Sequence, residues 1–347
     1  MKRSIDRRGS PRGFAARPAY ARAGSAARGP KPALRRFAGL GALLLLAATV
    51  CLAQQTPAKP LLKTQTPTIV ANVNSVPLVF IALDKHQHFV PNLTEKDIQV
   101  YDNGQLQKVQ RFASEGNLPL RIALLVDISN SVSTRFQFEQ HAAIDFLQAV
   151  LVEGRDKAMV AGFDTSLHVV QPFTDNYAKL AEAIDVLRPS GGTALYDALF
   201  YTAHNDFGPG SGNTGTGRNV IVIISDGADD QSRYSESEAT AMAQDVGAVI
   251  YTIGTEPTGA DPQSDGVLRS FAAQTGGRSY FPISASDLGG AFASIINDLR
   301  HQYVVAYSPN NLIPNGQFHR VEIKVLRKGI SVRTRKGYYA RTTAGAY

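Results

Sequence analysis

Carboxylates and hydroxyls are gathered at points of the sequence where apolar runs end. The motif DISNS directly follows an apolar run and places Asp127, Ser129 and Ser131 at alternate positions. The motif SDG follows a second apolar run and supplies Asp226. In a turn that leaves a strand, residues i, i+2 and i+4 can face the same side. These motifs therefore predict oxygen ligands at the ends of two strands.

A third motif, GGTALYD, adds a hydroxyl at a predicted helix start. Gly191 and Gly192 let the backbone come close to another group, and Thr193 follows them. All the candidate ligands are oxygens, which suits a hard cation such as Mg²⁺, with Mn²⁺ or Ca²⁺ as alternatives. Mg²⁺ takes about six oxygens and usually keeps several waters. An open position would attract an anion, and the natural candidate is an Asp or Glu carboxylate of a partner protein.

Each motif taken alone has a simpler structural explanation. Ser131 or Ser133 could cap the following helix, Thr193 could cap another, and Asp226 could stabilise a tight turn. For any single motif this explanation is preferred. Three motifs in this order, two of them at strand ends, favour a metal site.

The elements that must position these residues alternate between strand and helix from residue 118 to residue 300. Strands are predicted near 119–126, 158–163, 167–173, 219–225, 248–253 and 278–280, and helices near 136–150, 177–187, 195–206, 236–246, 266–275 and 285–299. The run NVIVIIS is too apolar for a half-exposed strand, as expected where helices cover both faces of a parallel sheet. The pattern predicts an α/β fold with a doubly wound, mostly parallel sheet, whose ligands bind beyond the carboxyl ends of the strands.

Both flanks of this unit are predicted to be β. Residues 68–116 contain apolar alternation and Asp-Asn-Gly at 102–104, a strong hairpin signal. Residues 301–341 contain strands near 301–307, 320–326 and 330–334. Because chain ends are often close together, the two flanks could form one smaller all-β module.

The first 53 residues are predicted to be a signal peptide or an anchor. A basic stretch is followed by an apolar run from Phe37 to Leu52 and a small-residue end at Ala53, the order of a secretory signal. Cleavage is favoured because the run is short for a transmembrane helix, which needs about 20 residues. Residues 54–67 read as a linker. The protein is thus expected to be secreted, periplasmic or in the cell envelope, with the inner membrane reached only through an uncleaved anchor.

The charge distribution argues against nucleic acid as a partner. The chain has a net charge of +7, but residues 1–53 hold 11 of its 36 Lys and Arg and one of its 29 Asp and Glu. Residues 54–347 therefore carry a net charge of −3. The single cysteine, Cys51, lies in the leader, so no disulfide or zinc–thiolate site is expected in the remainder.

The motifs DISNS, GGTALYDAL and SDG resemble the three parts of the metal-ion-dependent adhesion site of von Willebrand factor type A domains. The resemblance covers about residues 118–300 and implies a mostly parallel sheet with one antiparallel edge strand, and binding through a partner's acidic group. It implies a metal site at Asp127, Ser129, Ser131, Thr193 and Asp226. The flanking sequences are similar to secreted proteins related to this family of the type found in Acidobacteria.

Two further aspartates could support the ligands without touching the cation. Asp197 lies on the helix after Thr193, where the helix dipole alone would account for it. Asp229 follows Asp226, and with Asp230 it could form a second cation site, although solvated loop charges are the preferred interpretation.

The main functional hypothesis is cation-dependent protein binding outside the cytoplasm, as an adhesion or scaffold protein. The alternative is a structural envelope assembly protein in which the metal only stabilises the fold. An enzyme ranks lowest, because the sequence shows no hydrolase motif and no positioned base.

Overall fold

A computed structural model of the chain describes residues 75–114, 118–132, 136–211, 217–256, 259, 261–310, 313 and 315–340. The predicted leader and linker lie outside these residues, as do residues 68–74 and Ser133. Within the described part, no helix is both long enough and apolar enough to cross a membrane.

The elements follow one another in three groups along the described chain. The first group is all β: β1 (Val76–Leu83), β2 (Ile98–Asp102), β3 (Gln105–Gln107) and β4 (Val109–Ser114). The second alternates: β5 (Leu120–Asp127), α1 (Phe136–Val150), β6 (Lys157–Phe163), β7 (Leu167–Thr174), α2 (Tyr177–Asp185), α3 (Leu195–Tyr201), β8 (Arg218–Ser225), α4 (Glu236–Asp245), β9 (Val249–Gly254), α5 (Pro262–Thr275), β10 (Ser279–Tyr280) and α6 (Ala285–Arg300). The last is again β: β11 (Tyr303–Tyr307), β12 (Phe318–Val325), β13 (Ser331–Thr334) and β14 (Gly337–Tyr339).

The central sheet has the strand order β10-β9-β8-β5-β6-β7. All its neighbouring strands are parallel except the edge strand β7, which runs antiparallel to β6. In β5 and β8, Val126 lies opposite Ile224, so both strands end at the same edge. The predicted doubly wound, mostly parallel sheet with one antiparallel edge strand is confirmed.

Helices cover both faces of this sheet, and its central strands β5, β6, β8 and β9 are almost entirely buried, whereas the edge strand β7 is partly exposed. All eight residues of β5 are buried. Leu124 packs in the cluster on the face of α1, α2 and α6, where the rings of Phe146 and Phe292 stack at 4.6 Å. Leu125 packs on the opposite face with α3, α4 and α5. Replacing either leucine by alanine would cost about 2–5 kcal/mol. The tightly packed centre holds the strand ends in fixed positions.

The flanks pair with each other in two antiparallel sheets. Their strand orders are β13-β1-β11-β4 and β14-β12-β2-β3, so each sheet contains strands from both ends of the chain. The expected smaller β module is therefore confirmed. The predicted hairpin joins β2 and β3, with Asn103 and Gly104 at φ 47° and 78°. Positive φ at both positions is typical of the type I′ turn. Strand β14 was not predicted, because three residues are too few to show alternation.

Two helices differ from their predicted limits by more than two residues. The helix predicted to reach Asp206 is α-helical only to Tyr201, and residues 202–207 wind as a π-helix. Side-chain periodicity does not reveal such a local change of hydrogen bonding. Helix α5 begins at Pro262, before the predicted Gly266, because Asp261 caps it by accepting the N–H of Gln263 at 3.0 Å and proline suits a first helical position.

The segment at and after β13 attaches the β module to the central unit. Arg333 donates to the carboxylate of Asp298 on α6. Thr334 donates through its hydroxyl to the carbonyl of Val79 at 2.8 Å. Arg335 donates to the carbonyl of Gln244 at 3.3 Å. The C-terminal flank thus contacts both the other flank and the helices of the central unit.

Candidate metal centre

Three loops meet at the carboxyl edge of the central sheet. We call them the serine loop (residues 128–132, after β5), the threonine loop (residues 190–194, before α3) and the aspartate loop (residues 226–235, after β8). Backbone hydrogen bonds join the first two: Ser190 N–H donates to the carbonyl of Ile128 at 2.5 Å, and Asn130 N–H to that of Gly191 at 3.3 Å. Asp230 N–H of the aspartate loop donates to the carbonyl of Thr193 at 3.0 Å, so the three sequence motifs are neighbours in space.

Asp127 closes β5 and is buried, with 1% of its surface exposed. Its Oδ1 accepts the N–H of Ser129 at 2.8 Å, and its Oδ2 accepts the hydroxyl of Ser225 at 2.6 Å. Burial raises the pKa of Asp127 to about 6, repulsion by Asp226 acts in the same direction, and the hydrogen bonds from Ser225 and Ser129 oppose the shift. A cation beside this carboxyl would favour its ionised form.

The two serine hydroxyls lie on the same side of the serine loop. Residues 130–132 form a single 3₁₀ turn, and Ser129 Oγ lies 2.9 Å from Ser131 Oγ. Ser129 is buried, whereas Ser131 is exposed. The alternate spacing in the sequence thus brings these oxygens together, with one of them open to solvent.

Thr193 is buried, and both its backbone N–H and its backbone carbonyl are hydrogen bonded to the aspartate loop. Its N–H donates to Oδ1 of Asp230 at 2.8 Å, and its carbonyl accepts the N–H groups of Asp230 and Gln231, both at 3.0 Å. Its hydroxyl makes no hydrogen bond to any described residue.

The two glycines of the threonine loop have close side-chain neighbours. A Cβ on Gly191, whose φ is +70°, would lie 3.3 Å from the side chain of Asp164. A Cβ on Gly192 would lie 3.0 Å from Oδ1 of Asp230. Asp164 also accepts the hydroxyl of Ser190 at 2.9 Å. Two carboxylates therefore flank the loop that carries Thr193.

Asp226 is half-buried and starts the aspartate loop. Its Oδ1 accepts the N–H of Ala228 at 2.9 Å, and its Oδ2 accepts none from the described residues. Gly227 next to it has φ +86°, and a Cβ there would lie 2.5 Å from the carbonyl oxygen of Ser264. Only glycine fits this turn, which fixes the direction of the Asp226 backbone.

The aspartates predicted to support the ligands hold the aspartate loop instead of the ligand side chains. Asp197 Oδ1 accepts the N–H groups of Arg233 and Tyr234 at 2.8 and 2.9 Å. Asp229 Oδ1 accepts the N–H of Tyr196 at 3.2 Å and the hydroxyl of Ser232 at 2.6 Å. In the described chain neither carboxylate is hydrogen bonded to a candidate ligand; both pin this loop to the start of α3.

Three residues that position the candidate ligands were missed in the sequence. Asp164 directly follows β6, so the rule that identified Asp127 at a strand end would also have found it. Asp230 was interpreted as a solvated loop charge, and it is exposed, but its Oδ1 also accepts the N–H of Thr193, a contact that the sequence does not reveal. Ser225 carries no signal of its own, since its role depends on the lateral pairing of β5 and β8.

The donor set fits a hard divalent cation. The candidates are two carboxylates and three hydroxyls, and oxygen ligands of this kind are those that Mg²⁺ and Ca²⁺ take. The described residues contain no group of three or more His, Cys, Asp or Glu that could hold a metal ion. A cation here would therefore depend on the hydroxyls of Ser129, Ser131 and Thr193 as well as on Asp127 and Asp226.

The family model of the von Willebrand factor type A domain matches residues 122–228. This range contains the five candidate ligands. No curated protein matches the chain.

Several solved structures are similar at low sequence identity. Proximal thread matrix protein 1 from the mussel byssus, solved with a zinc-occupied MIDAS motif, is 17% identical over 57% of this chain and 50% of its own, with a TM-score of 0.45. A von Willebrand factor type A protein from Catenulispora acidiphila is 14% identical over 65% and 72%, with a TM-score of 0.45. BatB from Bacteroides thetaiotaomicron is 16% identical over 52% and 97%, with a TM-score of 0.42. The chain spans about half the length of the mussel protein. Such likenesses do not carry a ligand from one protein to another.

Proposed function

We propose that the chain, whose residues 122–228 match the family model of the von Willebrand factor type A domain, is a cation-dependent protein-binding protein that acts outside the cytoplasm. The cation is Mg²⁺, with Mn²⁺ or Ca²⁺ as substitutes. The role is binding, as an adhesion or scaffold protein, and not catalysis.

The convergence of the three loops is the observation that carries this proposal. Direct backbone hydrogen bonds join the serine loop to the threonine loop and the threonine loop to the aspartate loop. Each loop contributes candidate oxygens at the same edge of a rigid sheet. If each motif only capped its own helix or turn, hydrogen bonds between the three loops would not be needed.

The candidate ligands would contribute to cation binding in two different ways. Asp127 and Asp226 supply negative charge, and Ser129, Ser131 and Thr193 supply neutral oxygens. The two carboxylates carry two negative charges, which equals the charge of a divalent cation. Such a cation takes about six oxygens, so the five candidate oxygens leave one coordination position open. When bound, the cation would attract an anionic oxygen from outside, and an Asp or Glu side chain of a partner protein provides one.

The setting outside the cytoplasm is supported by the amino-terminal sequence. The order of a basic stretch, an apolar run and a small-residue end at 1–53 is that of a secretory signal. Retention of the same segment would leave the protein anchored to the inner membrane.

The test is capture of envelope proteins by the immobilised chain in Mg²⁺ and in EDTA. The informative variant is Thr193→Val, which removes one candidate ligand oxygen and keeps the side-chain shape. The matched control is Thr202→Val, since Thr202 is also a buried residue whose hydroxyl makes no hydrogen bond to described residues, but it lies on the π-helix.

The proposal predicts a partner that is retained in Mg²⁺, released by EDTA, lost with Thr193→Val and kept with Thr202→Val. Retention of the same partner in EDTA would contradict it. If EDTA lowers the melting temperature without releasing the partner, the chain is instead a structural assembly protein in which the metal only stabilises the fold.

A further inference from the structure

Ser225 links the Asp127 carboxylate to the turn that begins at Asp226. It is the last residue of β8, it is fully buried, and it directly precedes Asp226. Its hydroxyl lies 2.6 Å from Oδ2 of Asp127 and 3.0 Å from the backbone nitrogen of Gly227. One side chain thus contacts both the end of β5 and the turn after β8.

The direction of the Ser225 hydroxyl is fixed by these two contacts. The N–H of Gly227 is a donor, so the Ser225 oxygen accepts from it with a lone pair. The single hydroxyl hydrogen is then directed to Asp127, which accepts it. A hydrogen bond to a charged acceptor is short and strong, which agrees with the 2.6 Å distance.

The backbone of Ser225 is held as firmly as its side chain. Its carbonyl accepts the N–H of Thr255 at 3.1 Å, which ties it to the segment after β9. The turn that follows is fixed by Gly227, which leaves no room for a Cβ against Ser264. The backbone that carries the hydroxyl is therefore fixed relative to Asp127.

We propose that Ser225 is the positioning residue of the metal centre, and this inference rests on the proposed function. It does not bind the cation. It fixes the rotation of the Asp127 carboxylate and couples that carboxylate to the turn that carries Asp226. Through these two hydrogen bonds Ser225 ties the end of β5, which carries one carboxylate, to the turn that carries the other.

A purely structural role would make a different prediction. Ser225 could simply satisfy a buried strand end, in which case its loss would lower stability and leave cation affinity unchanged. Thr252 offers a matched control, because it is equally buried on the neighbouring strand β9 and its hydroxyl oxygen lies 3.2 Å from the carbonyl oxygen of Leu268 and 2.8 Å from the hydroxyl of Ser279. Neither partner is a candidate ligand.

The experiment is calorimetric titration of the full chain with Mn²⁺, alongside thermal melts in EDTA that report folding. Ser225→Ala is expected to weaken Mn²⁺ binding by about 10–100-fold, the usual effect of removing a group that orients a metal ligand. Ser225→Thr keeps the hydroxyl and is expected to restore most of the affinity. Thr252→Val is expected to melt earlier and to bind Mn²⁺ within about twofold of the unchanged chain.

Two outcomes would overturn the inference while leaving the proposed function in place. One is unchanged Mn²⁺ affinity in Ser225→Ala; the other is an equal loss of affinity in Thr252→Val. If Ser225→Ala does not fold, Ser225→Cys is measured in its place, because a thiol has a similar volume and is only a weak donor. The inference then requires Ser225→Cys to bind Mn²⁺ more weakly than Ser225→Thr. If the unchanged chain binds no cation, the proposed function fails, and this inference fails with it.

Discussion

Thr193 and Asp230 hold each other by reciprocal hydrogen bonds. The N–H of Thr193 donates to Oδ1 of Asp230 at 2.8 Å, and the N–H of Asp230 donates to the carbonyl of Thr193 at 3.0 Å. The pair closes the threonine loop onto the aspartate loop. The position of the Thr193 hydroxyl therefore depends on a carboxylate that is not itself a candidate ligand.

Loss of the Asp230 side chain should loosen this loop and weaken cation binding. We expect Asp230→Ala to reduce Mn²⁺ affinity by about tenfold or more, and Asp230→Asn, which keeps an acceptor for Thr193, to stay closer to the unchanged chain. Calorimetric titration checks both. Asp185→Ala, on the exposed side of α2, is the control for removing a surface charge; an equal effect there would show that only overall charge matters.

The turn at Gly227 should not tolerate a side chain. Gly227→Ala combines an unfavourable φ of +86° with a clash against the Ser264 carbonyl, whereas Gly104→Ala meets the φ penalty at +78° with open space around it. The backbone conformation alone costs about 1–3 kcal/mol. Denaturant unfolding should therefore show a clearly larger loss for Gly227→Ala. Equal losses would mean that the loop moves aside without cost.

A buried carboxylate at the amino ends of the parallel strands should contribute to stability in acid. Its loss should not affect the metal centre, which lies at the carboxyl ends. Asp156 is fully buried and accepts the N–H of Leu120 at 2.9 Å and a hydrogen bond from Arg300 at 2.6 Å. Burial raises the pKa of Asp156, but the hydrogen bonds from Arg155, Arg300 and the backbone outweigh it, so the net shift is downward.

A lowered pKa in the folded state stabilises the fold above the ordinary value near 4, and this contribution is lost as the pH falls through the folded value. Asp156→Asn should lose about 3–5 kcal/mol at pH 7, since it leaves Arg300 without its charged partner. Urea unfolding between pH 7 and pH 3 should show a smaller acid loss for the variant than for the unchanged chain. Its Mn²⁺ affinity should be unchanged, and a large loss of affinity would contradict the separation of the two edges.

The β module should depend on a buried contact between the two flanks. Asp102 of β2 accepts the hydroxyls of Tyr307 at 2.8 Å and Tyr338 at 2.7 Å. We expect Tyr307→Phe and Tyr338→Phe each to cost about 1.5–3 kcal/mol, the range for hydrogen bonds to a charged group. A double-mutant cycle by denaturant unfolding measures their coupling. Two strictly additive losses would show that the hydroxyls do not share Asp102 as one network.

The sequence predicted those elements in which a single residue pattern extends over most of a strand or a whole turn. The apolar runs within β5 and β8 and the Asn103-Gly104 turn were predicted because burial on both faces and positive φ each demand particular residue types. β14 and the π-helix were not, since one is too short for alternation and the other keeps the same apolar positions.

The candidate ligands were visible in the sequence because hydroxyls and carboxylates cluster where strands end. The residues that hold them were visible only in part. The contacts of Ser225 and Asp230 depend on which strands lie side by side, and no local pattern encodes that neighbourhood. Asp164 could have been found from its place directly after β6.

The most direct measurement is the melting temperature of the full chain with Mg²⁺ and with EDTA, for the unchanged protein and for Asp127→Ala, with Asp127→Asn as a variant of the same shape. A cation held only by the folded state at about 100 times its Kd adds about 2.7 kcal/mol to the free energy of unfolding. A rise of several degrees in Mg²⁺ that both variants abolish is the result we predict. No rise in the unchanged protein, or the same rise in both variants, would contradict a metal centre at Asp127.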